Sequence, residues 1–260
     1  VDLSMKGRTA IITGGVQGIG LEVARKLASA GVNLVLADVN AAAGEAASKE
    51  LSASTPAKFA LTDLTNQDSV RDLVGVTIAE FGAIDYFVNC AAILDDKTFE
   101  ESSPRDWQRM FDVCLLGPMY CLHDVLPVMK KQKFGRIVCF SSDSARIGQA
   151  RLSYYAAAKA GVTALVKSIA QEVGPDGITA NIVSPGATNT PMRMDREASL
   201  REQMGEEKYA RREQAVQRAY PLRRIGEPSD VAPTVTFLLS DGAAWITGQV
   251  VSVNGGFTML

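Results

Sequence analysis

Short apolar runs and longer amphipathic stretches alternate along the whole chain. The runs TAIITG, NLVLAD, KFALTD, IDYFVN, GRIVCFSS, ITANIVSPG and QVVSVNGG are rich in β-branched residues, and they predict about seven strands. They are apolar nearly throughout rather than at every second position, the pattern of strands covered on both faces. Between them, segments such as Leu21–Ala30 and Ser69–Phe81 place apolar residues at helical spacing. This alternation predicts an α/β class: a parallel sheet with helices on both faces, doubly wound by right-handed crossovers. Its ligand crevice should lie at the carboxyl ends of the strands, where the winding reverses. No repeat or low-complexity linker divides residues 1–260, so a single domain is expected. The segment 191–220 stands apart, dense in Arg, Glu and Met and without a strand signal. It reads equally as a solvated helical excursion and as a lid over the crevice.

Composition narrows the ligand. The chain has 260 residues, 47% of them hydrophobic, and a formal net charge of -2 made of mixed signs. A substantial core is therefore available, and a nucleic-acid or anionic-membrane surface is disfavoured. A small molecule is the expected partner. Cys90, Cys114, Cys121 and Cys139 lie in apolar stretches without C-x-x-C spacing, which reads as buried free thiols rather than disulfides or a zinc site. Residues 1–8 carry no apolar segment, and no uninterrupted apolar run reaches the roughly 18 residues of a membrane span. A cytoplasmic protein is the expectation. The single histidine, His123, has no ligand cluster around it in sequence and reads as a packed or interface residue; no metal is expected.

Two motifs carry chemistry. TGGVQGIG, Thr13 to Gly20, joins the first strand to the first helix, where glycines allow a tight turn and let backbone N–H groups approach a pyrophosphate. Asp38 ends the second strand, where a carboxylate can accept both ribose hydroxyls and would repel a 2′-phosphate. NAD is predicted over NADP. Further on, a strand ends at Ser141 and Ser142, and a helix then carries Tyr155 and Lys159 one turn apart on one face. An ammonium near the phenol favours the phenolate, and a serine hydroxyl can hold a substrate oxygen beside it. Tyr154 points elsewhere on that helix.

T-G-x-x-x-G-x-G, the acidic residue after the second strand, Ser, Y-x-x-x-K and the later P-G together resemble the short-chain dehydrogenase/reductase family over essentially the whole chain. The resemblance implies a Rossmann-type fold and an oxidoreductase moving a hydride between NAD and a secondary alcohol or ketone. It casts Ser142, Tyr155 and Lys159 as catalytic. It implies cofactor contacts from Gly14, Gln17, Gly18, Ile19, Gly20, Asp38 and Val39. Asp63 and Leu64 should lie near the adenine, with Asn89, Ala91 and Val113 also in contact, and Pro185, Gly186, Thr188 and Thr190 should flank the nicotinamide. The helix around His123, the Tyr155 helix and the carboxyl terminus are implied subunit contacts of a homotetramer.

Two positions depart from the family pattern. N-N-A-G becomes Asn89, Cys90, Ala91, Ala92, and the asparagine of V-N-x-x-G becomes Cys114. For Cys114 we expect altered rate or pH dependence rather than inactivity. Arg146, a turn beyond Ser142, is a candidate for binding a substrate carboxylate or phosphate, and Arg193, Arg196 and Arg201 would suit an anionic or coenzyme A substrate. SDSARIG, SPGATNTPM and AYPLRRIGEPSDVA resemble 2-hydroxycyclohexanecarboxyl-coenzyme A dehydrogenases. Two alternatives stand beside the main reading. A 3-oxoacyl reductase of acyl-carrier-protein or coenzyme A thioesters is disfavoured by Asp38. A nucleotide-sensing protein without turnover is supported only by the two departures.

Overall fold

Apolar side chains of each strand divide between two helical layers. In the computed structural model, which describes residues 5–259, Ile12, Leu34, Leu36 and Val88 enter one core and Ile11, Val35, Phe87 and Ile137 the other. Successive residues of a strand face opposite ways, so a strand sandwiched between two helical layers must be apolar at every position.

The elements run in chain order as β1 (Thr9–Thr13), α1 (Gly18–Ser29), β2 (Asn33–Asp38), α2 (Ala41–Leu51), β3 (Ala57–Leu61), α3 (Gln67–Phe81) and β4 (Tyr86–Asn89). There follow α4 (Pro104–Phe111), a π turn (Asp112–Leu116), α5 (Gly117–Gln132), β5 (Gly135–Phe140), the short α6 (Ser144–Ile147), α7 (Ser153–Val173) and β6 (Ile178–Pro185). The chain ends with α8 (Pro191–Met204), α9 (Glu206–Ala219), α10 (Pro228–Leu239) and β7 (Val250–Val253). All seven strands are parallel in the order β3-β2-β1-β4-β5-β6-β7. The winding reverses between β1 and β4, where Ile11 sits level with Val35 on one side and Phe87 on the other.

One core holds Val23 and Leu27 of α1, Ala47 and Leu51 of α2, and Val231 and Val235 of α10. The other holds Val70 and Leu73 of α3, Leu122, Val125 and Met129 of α5, and Val162 and Val166 of α7. Fully burying each such side chain contributes about 1.5–3 kcal/mol. The run Pro104–Gln132 reaches a mean hydropathy of 1.2, apolar enough by composition to cross a membrane. Its inward residues nevertheless form the second core. On its outward face His123 is exposed beside Asp124, with Nδ1 2.7 Å from Oδ1, so of a packed or interface residue only the interface expectation is left. All four cysteines are free, and Cys114, Cys121 and Cys139 are buried.

Candidate active site

The glycine turn lies where the winding reverses. Gly14 (φ +65°) donates its N–H to the Ala37 carbonyl at 2.8 Å, and a Cβ added there would stand 2.7 Å from Ala91 backbone. Gly18 also has positive φ, +54°. Asn40, Asn66 and Ser103 cap α2, α3 and α4 with side-chain oxygens, whereas Gln17 makes no such cap on α1 and no acidic residue occupies its first turn. The first N–H groups of α1 therefore remain for an anion, beside the positive end of the helix dipole.

From this turn a cavity of about 720 Å³ runs along the carboxyl ends of the strands, within the size of small-ligand sites. Its wall gathers Gly14, Gln17, Gly18, Ile19 and Gly20, then Asp38 and Val39, Asp63 and Leu64, Ala91 and Val113. Pro185, Gly186, Thr188 and Thr190 complete that end, and Ser142, Tyr155 and Lys159 stand in the same cavity. Asp38 Oδ1 accepts the Asn40 N–H at 3.0 Å, which orients its carboxylate at the end of β2. Asp63 Oδ1 accepts from Thr65 N–H and hydroxyl at 2.9 and 2.8 Å, fixing the turn after β3. Asn89 lies beneath the wall rather than in it, its amide oxygen accepting the Thr13 hydroxyl at 2.9 Å and its amide nitrogen buried without a partner.

Ser142, Tyr155 and Lys159 are carried by the segment after β5 and by α7. Lys159 is 1% exposed, and its ammonium donates to the Phe140 carbonyl at 3.0 Å. Ser141 donates to the Lys159 carbonyl at 3.2 Å, and Thr163 to the Ser141 hydroxyl at 2.8 Å, so the end of β5 is tied to the turn of α7 that carries the lysine. Ser142 Oγ accepts the Ser144 hydroxyl at 2.9 Å. Burial pushes the Tyr155 phenol above its ordinary pKa and the Cys114 thiol adds to this, while a hydrogen bond with Ser142 pulls the other way. The ammonium lies 5.9 Å from the centre of the Tyr155 ring, and burial, not this ammonium, dominates the phenol. Tyr154 turns away, donating to Asp95 at 3.2 Å; burial, then Asp95, pushes it up to about 12.

Arg146 is not brought to the wall. It sits on α6, outside the lining, and its guanidinium hydrogen-bonds Ser252 of β7. Arg201 also stands apart, paired with Glu206. The segment 191–220 forms α8 and α9, exposed outside and lining the cavity within through Met192, Arg193, Arg196, Glu197, Arg212 and Val216. Sequence reasoning missed Gln149, Leu152, Tyr220 and Phe257 at this end. Tyr220 and Phe257 stack at 4.9 Å, a contact between distant segments that no local pattern announces. It also missed Asp143, buried directly after Ser142 and accepting from Ser184 at 3.0 Å and Asn254 at 2.7 Å.

Both departures are accommodated. Ala92 takes its place in the cavity wall. Cys114 is fully buried in the π turn, where its sulfur accepts the Ile93 N–H at 3.4 Å and donates to the Ile93 carbonyl at 3.6 Å. One thiol thus serves both backbone groups of a residue in the cavity wall. Cys114→Asn is expected to remain active with an altered rate or pH profile and a stability change of about 1 kcal/mol. Steady-state pH profiles and thermal unfolding check this; two unchanged curves would reduce the thiol to a space filler.

Residues 14–258 match the family model described as enoyl-(acyl carrier protein) reductase. A 3-oxoacyl-(acyl-carrier-protein) reductase of Staphylococcus epidermidis is 34% identical over 257 residues, 97% of this chain and 99% of that protein. A cis-4-hydroxycyclohexanecarboxylate dehydrogenase of Sinomonas cyclohexanicum is 36% identical over 252 residues, 96% of each chain. The crystal structure of levodione reductase aligns with a TM-score of 0.89 at 32% identity, covering 97% of this chain and 98% of that one.

Proposed function

The chain belongs to the short-chain dehydrogenase/reductase family, and from that membership we propose that this oxidoreductase interconverts a secondary alcohol and its ketone with NAD, through Ser142, Tyr155 and Lys159. The observation that carries the reading is the meeting of these three side chains with the glycine turn and Asp38 in one cavity. The residues fit a nicotinamide dinucleotide: the uncapped α1 amides suit its pyrophosphate and Asp38 its ribose diol. When bound, the cofactor supplies or accepts the hydride.

The protein's part is positioning and proton transfer. Ser142 holds the substrate oxygen by a hydrogen bond, and Tyr155 exchanges the proton with that oxygen. Lys159, anchored on the Phe140 carbonyl, keeps N–H donors for the cofactor ribose. A phenol whose pKa burial raises is a ready acid for ketone reduction. In the oxidative direction it must first lose its proton, so oxidation should climb with pH above neutrality. Outward-facing apolar side chains, Met119, Phe237 and the 99%-exposed Trp245, support subunit contacts on the α5 side and near the carboxyl end, in keeping with a homotetramer. The free thiols agree with a cytoplasmic setting.

A second reading, reduction of 3-oxoacyl thioesters, draws on the Staphylococcus relative and would use NADP. An assay with NAD and NADP against secondary alcohols, hydroxycyclohexanecarboxylates and 3-oxoacyl-coenzyme A decides between them, with molar mass followed by light scattering. NAD is expected to be preferred about 100-fold, ~3 kcal/mol, the scale of a carboxylate–phosphate repulsion at a partly exposed site. Asp38→Ala should bring the two cofactors close to parity. An NADP preference in the unaltered protein would favour the thioester reading.

A further inference from the structure

The α8–α9 side of the cavity carries more positive than negative charge. Arg193, Arg196 and Arg212 line it with a single carboxylate, Glu197, which is 7% exposed. Arg212 hydrogen-bonds both oxygens of Glu197, while Arg193 and Arg196 approach Oε1 only to 3.8 and 3.9 Å. Burial works to raise the Glu197 pKa, but the Arg212 hydrogen bond and the charges of Arg193 and Arg212 hold it below its ordinary value. It is therefore an anion divided among three cations.

The three arginines differ in what else they hold. Arg196 has a second carboxylate, Asp96, at 2.6 Å, which also takes Arg151 behind the wall. Arg212 is satisfied by its fork to Glu197. Arg193 is left with a neutral acceptor, the Asn189 amide oxygen at 2.8 Å, and among the described residues its one carboxylate neighbour lies beyond hydrogen-bond length. Its side chain is 16% exposed. A guanidinium carries five N–H donors in a planar fork, and a partly buried one without a bonded anion is under-satisfied. Nearby walls are apolar: Ile93, Leu152, Met192, Val216 and Phe257.

Resting on the dehydrogenase reading above, we propose that Arg193 receives a carboxylate at one end of the substrate, whose alcohol or ketone carbon lies at Ser142 and Tyr155. The hydrocarbon body between the two ends lies on the apolar wall. The planar fork fits a carboxylate through two parallel hydrogen bonds, and Arg193 is the one of these three arginines whose hydrogen bonds, among the described residues, reach no carboxylate.

The test is calorimetric titration of the protein, saturated with NADH, with cyclohexanecarboxylate and with the similarly shaped neutral cyclohexanecarboxamide. Neither probe carries a hydroxyl, so binding is read apart from turnover. The carboxylate should bind at least about tenfold more tightly, the worth of one charge-assisted contact. Arg193→Gln should bring the two probes near parity, Arg193→Lys should leave an intermediate preference, and Tyr155→Phe should keep the full preference. Equal binding in the unaltered protein, or an undiminished preference in folded Arg193→Gln, would overturn the assignment. A carboxylate preference without turnover of any hydroxy acid would keep the anion site and remove the dehydrogenase reading. Turnover of neutral alcohols with no such preference would do the reverse.

Discussion

Tyr155→Phe is expected to lower kcat by roughly 10²–10⁴-fold, the usual contribution of a positioned general acid or base, while binding of NADH stays within about twofold of the unaltered protein. The phenol contributes one hydroxyl, and its ring is the part that packs against the Met110–Cys114–Ala158 cluster. Phenylalanine keeps the ring and removes the proton donor, so stability should hold. Because burial raises the Tyr155 pKa, the unaltered enzyme should reduce ketones at a nearly level rate through neutral pH and oxidise alcohols faster as pH rises. Stopped-flow or steady-state assays in both directions, with cofactor fluorescence for binding, measure all three quantities. A substitution that left kcat within tenfold would place the proton transfer on another group.

Gly20→Ala should be nearly as severe by a different route. A Cβ at Gly20 would stand 2.1 Å from the Gly14 carbonyl oxygen and 3.1 Å from Gly15 Cα. Both neighbours are backbone of the turn that presents the α1 amides, so relief requires the turn itself to move. Overpacking of this kind costs about 1–3 kcal/mol, or several degrees in Tm for a domain of this size, and it displaces the amides from the pyrophosphate. Cofactor affinity should fall at least about tenfold. Gly75→Ala is the control: Gly75 lies within α3, and its added methyl meets nothing within 4 Å. There the change should stabilise by about 0.5–1 kcal/mol through backbone entropy. If the two variants behave alike, the close packing of the turn is not what excludes a side chain at position 20.

The parts of this molecule that were legible in sequence share a physical reason. The inner strands are sealed on both faces, so their apolar runs are continuous and bounded by polar turns; the edge strands β3 and β7 are less buried, yet all seven emerge where expected. Gly14 and Gly18 announce themselves because positive φ excludes most other residues. Tyr155 and Lys159 are legible because helical spacing alone brings them together. What escaped depends on partners remote in sequence. Arg146 turns to Ser252, 106 residues away, and nothing on its own helix says so. The stretch around Glu197 looks like solvated helix because a buried carboxylate matched by Arg212 has the same local polarity as an exposed one. The π turn at Asp112–Leu116 has no proline or glycine within it to mark the break. Cys114 within it grips Ile93 in the loop after β4, a contact between separate segments that neither announces locally.

Asp143, the residue after Ser142, is held from two sides: by Ser184 at the end of β6 and by Asn254, just past β7. The second of these partners lies 111 residues after the aspartate it holds. Six of the seven strands can be laid down while that partner is still unmade, and β7 must then dock on the exposed edge of β6 to bring it in. The hold on Asp143 is therefore complete only once β7 has paired with β6. The bare β6 edge in that interval is a surface that a chaperone, or a neighbouring nascent chain, can occupy.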